Sequence, residues 1–428
     1  MLKTGHSVTR PGRRLGDKPV NIPVPEELET APGIVQNPQE VDFYSREYPL
    51  ESQAVEYTAD REWAWTVYTT EDWEDRRIND AMSRPIVQAA HNTGDIEPTV
   101  EPDFGKDVTE LIRAKAREMG FGEVGFTRYD RRYVYKFKRD WSKFPNAICL
   151  AYEQDFEPTQ SAPSREAEGP HYAIYRIMGA LALDLADYIR SLGYHAQVHN
   201  PLSNSAVMIP MFDEAGLGQL GANGQLLSPH FGSRARLMMI TPDAEVAYDE
   251  PVDYGIHAFC NICQVCVNRC PARALMRDKV WWRGAEKHKL IYRRCRPVMT
   301  RYEGCAVCMK TCPIQRYGME SVMSHYASTG QVLGKGTHLL EGYNLRDMGY
   351  FGPGELPRFA SDFFHVPHGK AEDVLFEDLK EKIKNEAIPE GPEGDQMLRD
   401  FVGEVHKFVI VNPAEMVSLP SGTEVEEA

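Results

Sequence analysis

Apolar residues recur through the middle of the chain with two alternating spacings, one typical of helices and one typical of strands. Residues 108–119 repeat apolar side chains at helical spacing until Gly120 ends the pattern. A longer helix is predicted over residues 172–192 and is closed by Gly193. Strands are predicted at residues 124–126, 147–152, 195–199 and 236–241. This alternation indicates a layered core of helices and strands.

The two ends of the chain lack this regularity. The first forty residues carry six prolines, which predicts an extended arm along the body or disorder. Residues 41–105 are rich in aromatic side chains. This composition predicts a segment that packs on the core or caps a cavity, or one that only decorates the surface. Those aromatic residues are Tyr44, Tyr48, Tyr57, Trp63, Trp65, Tyr68 and Trp73. An acidic helix is predicted near residues 371–386.

Eight of the nine cysteines fall in two runs that each end in Cys-Pro. The first run has the spacing C-x2-C-x2-C-x3-C-P, and the second stretches the first gap to nine residues. Such a run presents three thiolates to one 4Fe-4S cluster, and in two-cluster proteins its last cysteine ligates the other cluster. The sequence therefore predicts one cluster on Cys260, Cys263, Cys266 and Cys312, and a second on Cys295, Cys305, Cys308 and Cys270.

Zinc and disulfides are the alternative uses of these cysteines. Zinc rarely takes a third cysteine at two-residue spacing together with a distant fourth before proline. Disulfides need an oxidising compartment, for which the sequence offers no sign. The ninth cysteine, Cys149, lies in an apolar stretch and is predicted to be a buried strand thiol.

Composition narrows the possible partners. With 428 residues, of which 42% are hydrophobic, the chain can bury a large core. A net charge of −15 argues against nucleic acid as the main partner, because phosphate binding needs clustered Lys and Arg. No stretch approaches the roughly 18 apolar residues of a membrane span. Arg13-Arg14 precedes no apolar segment, so we expect no twin-arginine export signal and a cytoplasmic location.

A glycine-rich segment precedes the cysteine runs. Gly216, Gly218 and Gly221 match the dinucleotide fingerprint G-x-G-x-x-G. That fingerprint should follow a strand and open a helix, whereas here Ser228-Pro229 soon breaks the chain. We therefore reject dinucleotide binding. The glycines instead allow the backbone to approach a large planar ligand, or simply form tight turns.

The order of these motifs resembles the corrinoid iron-sulfur reductases, a superfamily that includes reductive dehalogenases and epoxyqueuosine reductase. The likeness extends over residues 106–320, about half of the chain. It consists of A-G-L-G at 215–218, Gly221, L-S-P-H-F-G-S-R-A-R at 227–236, D-Y-G at 253–255, and then the two cysteine runs. This order is far more specific than any one of its motifs.

The resemblance implies an α+β fold in four parts. Residues 1–105 would be the arm and cap, 106–245 a nitroreductase-like α/β core that binds cobalamin base-off, 246–330 a ferredoxin-like module with two 4Fe-4S clusters, and 331–428 an extension packing on the core. The absence of a D-x-H-x-x-G motif agrees with a corrinoid that has no histidine below its cobalt. The residues expected to contact the corrinoid are Gly216, Gly218, Gly221, Asn223, Ser228, Phe231 and Asn200.

For the reductive dehalogenases, the resemblance also implies a tyrosine proton donor assisted by a nearby cation. Tyr172 and Tyr175 lie on the matching helix, and Arg234 and Arg236 follow downstream. A tyrosine with an ordinary pKa of about 10 needs a neighbouring positive charge to release its proton readily. We favour Tyr175 with Arg234 and keep Tyr172 and Arg236 as candidates. Simple packing of both tyrosines into the core is an equally good account.

The implied reaction is reductive removal of halide from an organohalide. A separate ferredoxin or flavodoxin would supply the electrons, because the sequence shows neither an export leader nor room for a fused reductase domain. One alternative is deoxygenation of epoxyqueuosine, in which tRNA would be the substrate and an aspartate the proton donor. Another is a non-catalytic iron-sulfur subunit that only transfers electrons.

Overall fold

The computed structural model describes residues 20–34 and 70–360, apart from short gaps at 104, 136–137, 204 and 283–284, together with a few residues between 363 and 397. Two predictions fall elsewhere. The side chains of the aromatic segment from Tyr44 to Trp73 lie outside the described residues, and so does the helix predicted near 371–386, except at position 385.

The described residues form a mixed helical and sheet structure. The strands are β1 (Glu123–Arg128), β2 (Asn146–Glu153), β3 (Ala196–His199), β4 (Gln219–Leu220), β5 (Leu226–Leu227), β6 (Ala235–Pro242), β7 (Leu275–Trp282), β8 (Ala285–Leu290), β9 (Tyr343–Leu345) and β10 (Gly349–Phe351). The helices are α1 (Thr70–His91), α2 (Thr109–Glu118), α3 (Phe156–Gln160), α4 (Arg165–Ser191), α5 (Ile209–Glu214), α6 (Ile256–Cys263), α7 (Val265–Arg269), α8 (Tyr292–Arg301), α9 (Val307–Lys310), α10 (Pro313–Tyr317), α11 (Met319–Thr329) and α12 (His338–Glu341).

One four-stranded sheet organises the first half of the described chain. Its order is β1–β2–β6–β3, and every neighbouring pair is antiparallel. The four predicted strands are all present, and each begins or ends within two residues of its prediction. β2 is buried along its whole length, and Cys149 within it is fully buried, as predicted. The sheet therefore forms the centre of the core, with apolar clusters on both of its faces.

Helix α4 crosses one face of this sheet and begins earlier than predicted. Its N-cap is Ser164, whose side chain accepts a hydrogen bond from the backbone of Ala167. Pro170 lies inside the helix as its sixth residue, where its ring cannot donate the usual helical hydrogen bond. Gly179 lets α1 approach closely, since a Cβ there would lie 2.7 Å from Ile86. Within the described residues, no helix is both long and apolar enough to cross a bilayer.

The cysteine-rich half forms a separate apolar cluster. The cysteine-bearing helices α6–α10 pack there with α11, and Leu28 from the N-terminal arm is fully buried in the same cluster. Thr30 fixes the arm further along, because its backbone N–H and hydroxyl both donate to Asp253. Leu340 and Tyr343, in the chain that follows α11, are also buried in this cluster. Residues from both ends of the described chain therefore pack against the cysteine module.

Candidate functional site: a cavity beside two groups of thiols

The eight clustered cysteines come together from helices α6, α7, α8 and α9 and from the turns beside them. Electrostatic contacts link the Cys266 thiol to Cys260, Cys263 and Cys312, and link the Cys312 thiol to Cys260 and Cys263. We call these four the first thiol set: Cys260, Cys263, Cys266 and Cys312.

A second group contains the other four cysteines of the two runs. The Cys305 thiol interacts with Cys295, Cys308 and Cys270, and Cys308 also interacts with Cys270. We call this group the cavity thiol set: Cys270, Cys295, Cys305 and Cys308. The last cysteine of each run thus lies among the first three cysteines of the other run.

Burial and mutual repulsion disfavour thiolates in both sets while no cation is present. Burial, together with the charge of a neighbouring thiolate, raises the pKa of Cys263 and of Cys308 to about 12. Backbone N–H groups act in the opposite direction: those of Ala222 and Val265 point at Cys260 and Cys263. Hydrogen bonds to sulfur are a recurrent feature of iron-sulfur sites, where they tune the reduction potential.

A single metal ion and a cluster place different demands on these donors. In the described part of the chain, no three metal-ligating side chains converge closely enough to hold one metal ion. A 4Fe-4S cluster has a different requirement, because it spreads four thiolates over the corners of a cube. Four cysteines in mutual electrostatic contact, with N–H groups directed at their sulfurs, are a donor set of the kind such a cluster uses.

A cavity lies directly against the cavity thiol set. All four thiols of that set contribute to its wall, and none of the first thiol set does. Its volume is about 360 Å³, and the space including its open mouth is about 1360 Å³. Pockets that bury drug-sized ligands measure roughly 300–1,000 Å³, so the enclosed volume lies at the lower end of that range, and a larger ligand would also extend into the open mouth.

The wall contributed by α4 carries a compact group of ionisable and aromatic side chains. Tyr172, His171 and Glu168 all line the cavity. The His171 ring stacks on Tyr172 with a centroid distance of 5.3 Å, and its Nδ1 lies 3.3 Å from Glu168 Oε2. Tyr175 does not line the cavity; it packs against the core cluster and meets the edge of His171 at 5.0 Å. Of the two predicted tyrosines, Tyr172 is therefore the one beside the cavity.

The two predicted arginines also differ in position. Arg236 lines the cavity, and its Nε donates a 2.7 Å hydrogen bond to the Gln154 side chain. Arg234 is fully buried away from it and forms a 2.9 Å ion pair with Glu153. Arg234 also donates to the carbonyl of Gln315, three residues after Cys312, and thereby joins the sheet to the cysteine module. Burial lowers the pKa of Arg234, and the Glu153 carboxylate opposes that effect.

The glycine-rich segment forms a tight hairpin, and other residues of the same chain fill the space beside its glycines. Helix α5 precedes it and strands β4 and β5 follow, which agrees with the rejection of a dinucleotide fingerprint. A Cβ at Gly216 would lie 2.6 Å from the Glu250 carbonyl, and one at Gly218 would lie 2.5 Å from the Leu227 carbonyl. At Gly221 the Leu227 side chain would be 2.8 Å away. These glycines line no part of the cavity, so close packing within the chain explains them.

Among the other residues predicted to contact a corrinoid, only Asn223 reaches the cavity. Asn223 Nδ2 and Gln225 Oε1 are buried, and neither has a hydrogen-bond partner among the described residues. Ser228 donates to Glu123 and accepts from the Phe231 backbone, as a buried turn residue does. The Phe231 side chain is fully buried in the core.

Asn200 is the remaining residue of that group. It is 1% exposed, and its side-chain oxygen accepts a 2.9 Å hydrogen bond from the Leu202 backbone, as a loop cap does. The unpartnered amides of Asn223 and Gln225 are thus the feature of this hairpin that fits a polar ligand in the cavity.

Several cavity residues have no local signal in the sequence. Gln154 follows β2, Gln225 lies in the β4–β5 turn, and Glu168 stands in the first turn of α4, where acids are common for helix-capping reasons alone. Only the packing of the sheet, α4 and the cysteine module brings them together. One usable sign was the sequence Glu168-x-x-His171, because residues three apart share a helical face.

Known proteins resemble the chain over part of its length. A tetrachloroethene reductive dehalogenase of Desulfitobacterium hafniense is 34% identical over 220 residues, which cover 41% of this chain and 39% of that protein. An epoxyqueuosine reductase of Lactococcus garvieae (strain Lg2) is 28% identical over 246 residues, covering 51% of this chain and 65% of that protein. The chain thus spans about two fifths of the dehalogenase. No protein-family model matches it.

Solved structures extend the likeness of the fold. A reductive dehalogenase, described as suggesting a mechanism for B12-dependent dehalogenation, superposes with a TM-score of 0.57 at 20% identity. The match covers 78% of this chain and 55% of that one. Together, the sequence relatives and this fold confirm the predicted resemblance to the superfamily that contains reductive dehalogenases and epoxyqueuosine reductases.

Proposed function

We propose that this chain, as a relative of the reductive dehalogenases, is a cobalamin-dependent iron-sulfur reductase that removes halide from an organohalide. One observation carries the proposal: a single cavity has four cysteine thiols in one wall and a tyrosine, a histidine and an arginine in another. Such a cavity can receive electrons from one side and protons from the other. The overall reaction is R–X + 2 e⁻ + H⁺ → R–H + X⁻.

The chain offers donors for each cofactor. The first thiol set and the cavity thiol set would each hold one 4Fe-4S cluster. A base-off corrinoid would occupy the cavity and its mouth, where Asn223 and Gln225 offer unpartnered amide groups to its periphery. When bound, the corrinoid supplies a low-potential cobalt centre for breaking the carbon–halogen bond. Residues 106–245 would form the nitroreductase-like corrinoid-binding core, and residues 246–330 the two-cluster module.

The protein's own chemical task is to deliver one proton to the carbon that loses halide. Tyr172 is the better donor of the two tyrosines, because it lines the cavity and Tyr175 does not. Arg236 lines the same cavity and would stabilise the tyrosinate that remains after transfer. His171, stacked on Tyr172, is placed to return a proton from Glu168 or from solvent at the cavity mouth. Arg234 would hold the two parts of the site together.

Epoxyqueuosine deoxygenation is a second candidate. The Lactococcus garvieae relative favours it, since the match covers 65% of that protein and only 39% of the dehalogenase is matched. The candidate needs an aspartate as the proton donor, and the described wall of the cavity contains no aspartate. A non-catalytic electron-transfer subunit would need no such cavity. Dehalogenation therefore remains the first choice.

A substrate comparison tests the proposal. The full chain, reconstituted anaerobically with iron, sulfide and cobalamin, is supplied with reduced viologen and either a bromophenol or epoxyqueuosine-containing tRNA. We expect bromide release from the bromophenol and no queuosine from the tRNA. Queuosine formation without bromide release would replace dehalogenation with epoxyqueuosine deoxygenation. If a cobalamin-loaded chain converted neither substrate, both proposals would be contradicted.

A further inference from the structure

A second, polar groove lies on the outer side of the first thiol set. It has a volume of about 570 Å³ and is formed by α6, the β7–β8 hairpin and Lys335. Ile262, on α6 between the two ligand candidates Cys260 and Cys263, lines this groove and is 43% exposed. Single exposed apolar side chains are ordinary on protein surfaces, and Leu339 and Tyr350 are exposed to a similar degree, so the charged groups of the groove carry more of the inference than Ile262 does.

Charged groups connect this groove to the thiols beneath it. Lys335 Nζ donates to the Cys263 carbonyl at 2.9 Å, while its side chain remains exposed. Lys279 also lines the groove and acts electrostatically on the Cys260 thiol. Lys335 and Lys279 thus lie at the surface and close to cysteines of the first thiol set. A protein bound in the groove would be separated from these thiols by about one layer of residues.

The sign of the charge here differs from that of the chain as a whole. The chain carries 48 Lys and Arg against 63 Asp and Glu, yet the groove is lined by three cations, Arg277, Lys279 and Lys335, and by two carboxylates, Asp278 and Glu286. The larger groove on the α/β core follows the overall acidity instead. Its carboxylates are Glu97, Glu101, Asp107, Asp243 and Glu245.

We propose that the groove formed by α6, β7–β8 and Lys335 is the docking surface for an acidic one-electron carrier of the ferredoxin type. The inference rests on the proposed function in one respect, namely that the first thiol set holds a cluster. The electric field of a cationic patch steers an acidic partner towards that patch, and the acidic remainder of the protein repels the partner elsewhere. Transient electron-transfer complexes need only small interfaces. Electrons would enter at the first thiol set and leave at the cavity thiol set.

The test measures reduction of the clusters directly. The anaerobically reconstituted full chain is mixed in a stopped-flow instrument with a reduced acidic ferredoxin, and bleaching of the iron-sulfur absorbance is followed at low and high salt. The same chain is also reduced with viologen, and the ratio of the two rates is compared between variants. The test variant is the double substitution Arg277→Gln/Lys279→Gln. The charge-matched control is Lys106→Gln/Lys115→Gln on the α/β core.

We expect the test variant to lower the ratio of ferredoxin to viologen rates about tenfold at low salt, with the difference shrinking at high salt as the charges are screened. The control should keep the ratio of the unmodified chain. Ile262→Gln should lower the ratio at both salt concentrations, because it removes an apolar contact.

An unchanged ratio in the test variant and in Ile262→Gln would overturn the docking surface. Because the readout is cluster bleaching, a chain that docks ferredoxin but releases no halide would contradict the proposed reaction and leave the docking surface intact. A chain without cluster absorbance would contradict both.

Discussion

The two thiol sets have the same ligand chemistry and different surroundings. The cavity thiol set forms a wall of the cavity that holds Tyr172 and Arg236, whereas the first thiol set contributes nothing to that wall and lies beneath the polar groove with Ile262 and Lys335. The Cys266 thiol interacts electrostatically with Cys308, so the two sets are neighbours. If both sets hold clusters as proposed, this difference predicts a direction of electron flow, in at the groove and out at the cavity.

The largest expected effect comes from removing one thiol from each set. Cys308→Ser should eliminate the cavity-side cluster and abolish halide release with any electron donor. Cys263→Ser should eliminate the other cluster and spare turnover driven by viologen, since viologen can reach the cavity-side cluster without it. Each variant should keep about four of about eight iron atoms. Iron analysis and turnover with both donors check this, and equal loss of viologen-driven turnover in the two variants would contradict the assigned direction.

The next effect separates the two arginines. Arg234→Gln leaves the buried Glu153 carboxylate without its cation, and loss of one partner of a buried ion pair costs about 3–5 kcal/mol of unfolding free energy. Arg236→Gln should leave the melting temperature nearly unchanged and slow turnover about tenfold, because Arg236 faces the cavity. Calorimetry and initial rates measure the two effects. Equal destabilisation of the fold by Arg236→Gln and Arg234→Gln would contradict the different positions assigned to the two arginines.

The two tyrosines form a third matched pair. Tyr172→Phe should lower the rate of halide release about 100-fold, within the range that general acids contribute. Tyr175→Phe should change it little, because that side chain packs against the core. Solvent isotope effects measured on both variants distinguish a lost proton donor from altered packing. If Tyr175→Phe abolished halide release and Tyr172→Phe did not, the original sequence-based preference for Tyr175 would be restored.

The last prediction concerns Asp213, which is buried on helix α5. Burial raises its pKa to about 8, and its neighbour His257, 3.9 Å away on α6, has a pKa lowered by burial to about 4 and gives it no positive charge. The folded chain therefore keeps a proton that the unfolded chain releases near pH 4, so that stability falls as the pH rises from about 4 towards about 8.

Asp213→Asn removes this dependence. The variant and the unmodified chain should melt at similar temperatures near pH 4, and the advantage of the variant should grow steadily as the pH rises towards 8. Differential scanning calorimetry across this range is the measurement. A constant difference between the two chains at all pH values would show that Asp213 keeps no buried proton.

The sequence predicted local features well and the cavity poorly. Strand positions followed from apolar spacing, and cysteine spacing alone predicted which cysteines would group, although the ligation itself remains a prediction. Helix α4 was predicted from residue 172, whereas the Ser164 cap starts it at Arg165, so that Gly169 and Pro170 lie inside the helix. The choice between Tyr175 and Tyr172 could not be made from sequence, because residues three apart share one helical face, and only the structure distinguishes Tyr172 in the cavity wall from Tyr175 packed against the core.

The central claim is that one chain holds two iron-sulfur clusters and a corrinoid beside them. Its most direct test is the metal content of the full chain after anaerobic reconstitution with iron, sulfide and cobalamin, followed by removal of unbound cofactor. The account predicts about eight iron atoms and about one cobalt atom per chain. Eight iron atoms with no retained cobalt would contradict it and would leave an electron-transfer protein instead.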